Sequence, residues 1–121
     1  MAENVTYTLT RKDNQGQSQV LTGKVAFGAT SITAADYIEI DVGFKPNYVK
    51  FTNLTDRVSG EHWNGMADES CLKTAADGVQ TLEVTGGNKG ITLTANGFRV
   101  AQNATLGLIL ASKDCYFTAI A

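Results

Sequence analysis

Residues 36–74 read DYIEIDVGFKPNYVKFTNLTDRVSGEHWNGMADESCLKT. They hold the only Trp, the only His and the only Pro of the chain. Ile38, Ile40 and Val42 alternate with Glu39 and Asp41, the period of two expected of a half-buried strand. Gly43-Phe44-Lys45-Pro46-Asn47 interrupts it, because proline cannot donate to a strand ladder and pushes Lys45 toward an extended conformation. Tyr48 to Leu54 then places Val49 and Phe51 on one face and Lys50 and Thr52 on the other. Thr55-Asp56-Arg57 turns the chain and Val58 to Trp63 returns, so this pair reads as a hairpin. Asn64-Gly65 is a strong turn signal, followed by a loop from Met66 to Ser70. His62 and Trp63 are neighbours on a strand and point to opposite faces, so one is packed and the other exposed.

The pattern extends in both directions. Val5, Tyr7 and Leu9 alternate with three threonines, which predicts a strand with a solvated face. Arg11 to Ser18 is polar around Gly16 and reads as a turn or loop, Gln19 to Phe27 as a strand, and Gly28 to Ala35 as a small-residue connection. Further strands are expected over Cys71 to Thr74, Val79 to Thr85, Gly90 to Ala95, Phe98 to Val100, Leu106 to Leu110 and Cys115 to Ile120. Asp77-Gly78, Gly86-Gly87-Asn88, Asn96-Gly97 and Ser112-Lys113-Asp114 separate them. Turn signals about every eight to twelve residues, with no amphipathic helix, predict an all-β antiparallel sandwich or small barrel. Nothing divides the 121 residues into two units. The expected organisation is a single β-domain with an extended N-terminal strand or arm over 1–35 and a core over 36–121.

Charged residues make up 18% of the chain, below the usual figure of about 25%. The surface is therefore built from Thr, Ser, Asn, Gln and Gly, groups that cost less to desolvate than ions and suit contact with another protein. Net charge is −2 and the basic residues are scattered singly, which argues against a nucleic-acid partner. The longest apolar run, Leu108 to Ala111, is far short of the ~20 residues of a membrane helix, and no basic-then-apolar leader opens the sequence. A soluble protein made without a secretion signal is expected. Whether Cys71 and Cys115 pair stays open, although without an export signal reduced structural thiols are the commoner case.

Chemistry is weakly supported. Asp56, Glu61, His62, Asp68 and Glu69 lie close in sequence, but a lone histidine among loop acids gives no separated acid and base. Two cysteines and one histidine, without a C-x-x-C, do not compose a zinc site. No nucleophile elbow surrounds Ser59 or Ser70. The run from Thr85 to Gly90 lacks the spacing of a phosphate loop and sits between strands. The expectation is a non-enzyme with no catalytic residues, cofactor or metal. Tyr7, Tyr37, Tyr48, Tyr116, Phe44 and Phe98 are largely accounted for as core. An exposed Trp63 is of more interest, since amphipathic aromatics anchor protein interfaces and sugar sites. The Thr-rich first strand leaves its backbone free to add to a neighbour's sheet.

Val42-Gly43-Phe44-Lys45-Pro46, Val49, Asn53-Leu54-Thr55-Asp56-Arg57, Trp63-Asn64-Gly65-Met66, Leu72-Lys73-Thr74, Gly90-Ile91-Thr92-Leu93-Thr94 and Asn96-Gly97-Phe98 follow in this order, with a closing strand near Tyr116. From about Tyr37 onward this series resembles small head structural proteins of tailed bacteriophages, the capsid decoration (cement) proteins; residues 1 to 36 share less of it. The resemblance implies a virion protein made in the host cytoplasm and bound to the outer surface of an icosahedral head. It also implies a symmetric homo-oligomer, a trimer more often than a dimer, that bridges subunits of the major capsid protein. Neither nucleic acid nor membrane is an expected partner. The residues expected to make contact are Val5, Tyr7 and Leu9 of the arm, the Thr55, Asp56 and Arg57 turn, and Trp63, Asn64 and Met66. A carbohydrate-binding β-domain of a tail fibre or baseplate is the rival expectation.

Overall fold

Alternating side chains need a layer to pack against, and the chain supplies two. The computed structural model describes residues 7–13, 19–29, 36–84, 90–102 and 106–121, with backbone alone for 8–13. Ten strands are present among them: β1 (Tyr7–Asp13), β2 (Val20–Phe27), β3 (Tyr37–Asp41), β4 (Tyr48–Asn53), β5 (Val58–Trp63), β6 (Cys71–Thr74), β7 (Gln80–Glu83), β8 (Ile91–Leu93), β9 (Gly97–Ala101) and β10 (Asp114–Ile120). None of the described residues is helical. Seven strands form one antiparallel sheet in the order β1-β2-β10-β4-β5-β6-β7, and three form a second in the order β3-β9-β8. The all-β sandwich expected from the alternation is the architecture found.

The inner face of the large sheet carries Leu21, Val25 and Phe27 of β2, Val49 and Phe51 of β4, and Cys115, Phe117 and Ala119 of β10, all buried. Ile38, Ile40, Ile91, Phe98 and Val100 line the small sheet's inner face and are fully buried. The Phe98 and Phe117 rings meet edge to face with centroids 5.4 Å apart, an aromatic pairing that joins the two layers. Tyr7 adds a polar tie: its ring packs 6.0 Å from Phe27 and its hydroxyl donates to the Glu39 carbonyl of β3.

Gly60 and Gly97 sit where neighbouring groups leave no room for a side chain. A methyl on Gly97 would stand 1.9 Å from the Ile40 carbonyl oxygen, and one on Gly60 would stand 2.8 Å from a Leu108 methyl and 3.1 Å from the Cys71 sulfur. Both cysteines are free and buried. Burial pushes each thiol up to about 12.

Two sequence expectations are corrected. Leu106 to Leu110 is a loop. Gly107 adopts φ +68°, a left-handed conformation that breaks an extended run, and Leu106, Leu108 and Ile109 are buried without a period of two. The segment plugs the core: Gly107 and Leu108 carbonyls accept from Asn53 Nδ2 at 3.0 Å and from the Cys115 thiol at 3.4 Å. Arg11, Lys12 and Asp13 continue β1, facing Gly23, Thr22 and Leu21 of the long β2, because ladder hydrogen bonds serve polar residues as well as apolar ones. Within the first 35 residues, β2 lies between β1 and β10 and its apolar side chains belong to the same core.

Candidate protein-interaction surface

The outer face of the seven-stranded sheet has no described element packed over it, and its composition follows from register. Val20 pairs with Ile120, Ile120 with Tyr48, and Tyr48 with Trp63, so four side chains form one row across β2, β10, β4 and β5. Ile120 is 38% and Trp63 43% exposed. Across a strand ladder, directly opposed side chains are close enough to pack, and the Tyr48 and Trp63 rings do so at 5.3 Å between centroids. The next two rows are mostly neutral, holding Thr22, Thr118, Leu72 and Leu82, then Tyr116, Thr52, Ser59, Thr74 and Gln80, with Lys24, Lys50 and Glu61 as their charges.

The Trp63 end is held rigidly. Trp63 N–H donates to the Met66 sulfur at 3.3 Å, and Met66 N–H donates to the Trp63 carbonyl at 3.0 Å. Asn64 is tied to Asn47 by backbone and side-chain bonds of 2.9 and 3.0 Å. Gly65 closes the turn at φ +108°, where a side chain would be strained. The Tyr48 hydroxyl donates to Glu61 Oε2 at 2.5 Å; burial, and then that carboxylate, raise the phenol's pKa above its ordinary value. Directly behind Trp63, His62 is 1% exposed, so the exposed member of this pair is the tryptophan. His62 Nδ1 lies 2.7 Å from the Ser70 carbonyl and donates to it, pinning both ends of the 63–70 loop. Burial lowers the His62 pKa despite this bond and the nearby Asp68.

The contact residues read from the sequence do not form one patch. Trp63, Asn64 and Met66 stand at one end of the β4–β5 hairpin; Thr55, Asp56 and Arg57 form the turn at the other, about 20 Å away for six-residue strands. That turn is committed to holding the fold. Asp56 accepts from Asn53 Nδ2 at 3.0 Å and from Lys113 Nζ at 3.2 Å, and Thr55 Oγ1 accepts from Asp114 N–H at 3.0 Å. Thr55 and Arg57, the latter at φ +59°, are its exposed members, and Asp56 is half-buried. Tyr7 is half-buried against the core. Val5 and the side chain of Leu9 lie outside the described residues.

Sequence reading missed Val20, Tyr48 and Ile120 as surface partners of Trp63. The signal was available in Cys115-Tyr116-Phe117-Thr118-Ala119-Ile120, which carries apolar groups on both faces. A cleft of about 310 Å3 opens on the outer face of the small sheet, lined by Tyr37, Asp68, Glu69, Thr92 and Arg99. The Arg99 guanidinium lies 4.7 Å over the Tyr37 ring and its Nε donates to Glu39 at 2.9 Å. Among the described residues no group of three or more His, Cys, Asp or Glu side chains is placed to hold a metal ion. No family model matches the chain, and comparisons with curated proteins and with solved structures find no match.

Proposed function

We propose that the protein is a virion structural protein, a capsid decoration module that binds the outer surface of an icosahedral phage head and stabilises it by bridging subunits of the major capsid protein. The observation that carries this reading is the outer face of the seven-stranded sheet: broad, mostly neutral, and crossed by the Val20–Ile120–Tyr48–Trp63 row. Such a face takes a protein partner at low desolvation cost, with Trp63 and Tyr48 as large amphipathic anchors near a rigid turn. The series of turn and strand residues from Tyr37 onward, similar to that of decoration proteins, supplies the kind of partner. Binding only the assembled shell stabilises that state by mass action, so the activity needs neither a pocket nor a catalytic group.

Purified protein mixed with undecorated cognate capsids is expected to co-sediment with them and to raise the temperature at which they open. Absence from the capsid pellet, together with tight binding to a bacterial surface glycan, sinks the proposal. It would favour a carbohydrate-binding domain of a tail fibre or baseplate, a reading supported by the aromatic and carboxylate lining of the Tyr37–Arg99 cleft.

A further inference from the structure

We infer that β7 is the site at which two copies of this chain join, edge to edge, into one continuous sheet about a two-fold axis. This rests on β7 alone and is independent of the capsid reading.

Large apolar side chains concentrate here: Val79 is 59%, Leu82 59% and Val84 51% exposed. They lie on or beside the terminal strand of the large sheet, whose one strand neighbour among the described residues is β6. Exposed edge strands are ordinarily guarded by lysine, proline or inward-turned charge. The opposite edge, β1, has Arg11, Lys12 and Asp13 in its sequence. β7 has no lysine or proline, and its one charge, Glu83, is turned inward and buried.

The hydrogen-bond phase of the β6–β7 hairpin fixes which backbone groups face outward. Ala75 N–H donates to the Val79 carbonyl, so 75 and 79 form a hydrogen-bonded pair. Antiparallel ladders alternate, which makes Lys73–Thr81 and Cys71–Glu83 hydrogen-bonded and Thr74–Gln80 and Leu72–Leu82 not. The N–H and C=O of Gln80 and of Leu82 therefore point away from β6, toward the free edge.

The side chains then choose the occupant and its register. A two-fold axis perpendicular to the sheet keeps each face on its own side, so the pairing must centre on a residue. Centred on Leu82, it exchanges both outward hydrogen bonds between the two copies of Leu82, sets Gln80 beside the other copy's Val84, and sets Glu83 opposite Thr81. Leu72 and Leu82 of both copies then form one apolar row. Centred on Glu83, it would oppose two carboxylates, which is destabilising. Centred on Thr81, it would place Val79 against Glu83 and Leu82 against Gln80. Of these three, the Leu82 register alone opposes leucine to leucine, keeps like charges apart and satisfies the outward backbone groups of Leu82. It also closes at two copies and leaves both Trp63 faces on the same side.

Light scattering and sedimentation of the full chain should give twice the 12.9 kDa monomer mass at high concentration. Leu82→Pro removes an N–H that the hairpin does not use, so its strand content should be retained while the mass falls to that of the monomer. Leu82→Lys, which leaves the backbone intact, should do the same. In a hydrogen-bonded antiparallel pair the facing Cα atoms are about 5.5 Å apart, within disulfide range. Leu82→Cys should therefore give a covalent dimer on mild oxidation, and Thr81→Cys should not. A monomeric wild type, a folded Leu82→Lys that keeps the wild-type mass, or cross-linking by Thr81→Cys in place of Leu82→Cys would each overturn the inference.

Discussion

Gly97 and Ile40 sit so close across the β3–β9 ladder that a methyl on the glycine would lie 1.9 Å from the isoleucine's carbonyl oxygen. The obstruction is backbone in a paired strand and has nowhere to retreat. At Gly60 the nearest obstruction is the tip of Leu108, a side chain able to change rotamer. Gly97→Ala is therefore expected to cost about 3 kcal/mol or more, and Gly60→Ala about 1 kcal/mol, because overpacking is expensive where the surroundings cannot yield. Equal midpoint shifts for the two variants in chemical denaturation would contradict this.

His62 makes the protein acid-sensitive in a defined window. Its folded pKa lies below the ordinary 6.5 because burial disfavours the imidazolium. The unfolded chain therefore takes up the proton first as pH falls. The contribution is fully present above about pH 6.5 and declines below it until the folded form also protonates. His62→Gln, which keeps a donor for the Ser70 carbonyl, should lose less stability than the wild type between about pH 7 and 5.5. Parallel stability curves for the two proteins would refute the assignment.

Cys71 and Cys115 should be silent thiols. With values pushed up to about 12, their thiolate fraction at pH 8 is roughly one in ten thousand, and the thiolate is the reactive species. An aromatic disulfide reagent is expected to label neither in the native protein and both at once in denaturant. Rapid labelling of one thiol without unfolding would show that its surroundings open locally.

Trp63→Ala separates binding from folding. The ring is partly exposed and packs on Tyr48, so its loss should lower stability by about 1 kcal/mol. At an interface centre, a tryptophan of this kind typically contributes about 2 kcal/mol, roughly thirtyfold in affinity for capsids. Undiminished capsid binding by a folded Trp63→Ala protein would exclude the Trp63 end of the sheet as the contact.

Strand existence was legible wherever alternation met a turn signal. Val58–Trp63 and Cys71–Thr74 end where composition says they should, since Arg57 and the Asn64-Gly65 turn bound the first and Asp77-Gly78 follows the second. Leu106 to Leu110 misled because a short apolar run looks alike as a strand and as a core-filling loop; only the partner strand it lacks would tell them apart. Which face each strand turns inward was harder. Within Gln80-Thr81-Leu82-Glu83, Glu83 is inside and Leu82 outside, the reverse of what hydrophobicity alone would place there. The outer apolar row was legible only in part: the β10 sequence hints at it, but Val20, Tyr48, Trp63 and Ile120 are scattered in sequence and meet only through strand order.

That order carries a consequence for how the chain is made. β10 follows the other nine strands in sequence yet lies in the interior of the large sheet, with β2 on one side and β4 on the other. Until it emerges during synthesis, the β1–β2 hairpin and the β4–β7 meander are two half-sheets, each with an unpaired apolar edge. Folding is therefore a late, long-range closure, slow in the way non-local β pairing is slow. A ribosome stalled before Asp114 would present two sticky edges in place of a nearly finished domain.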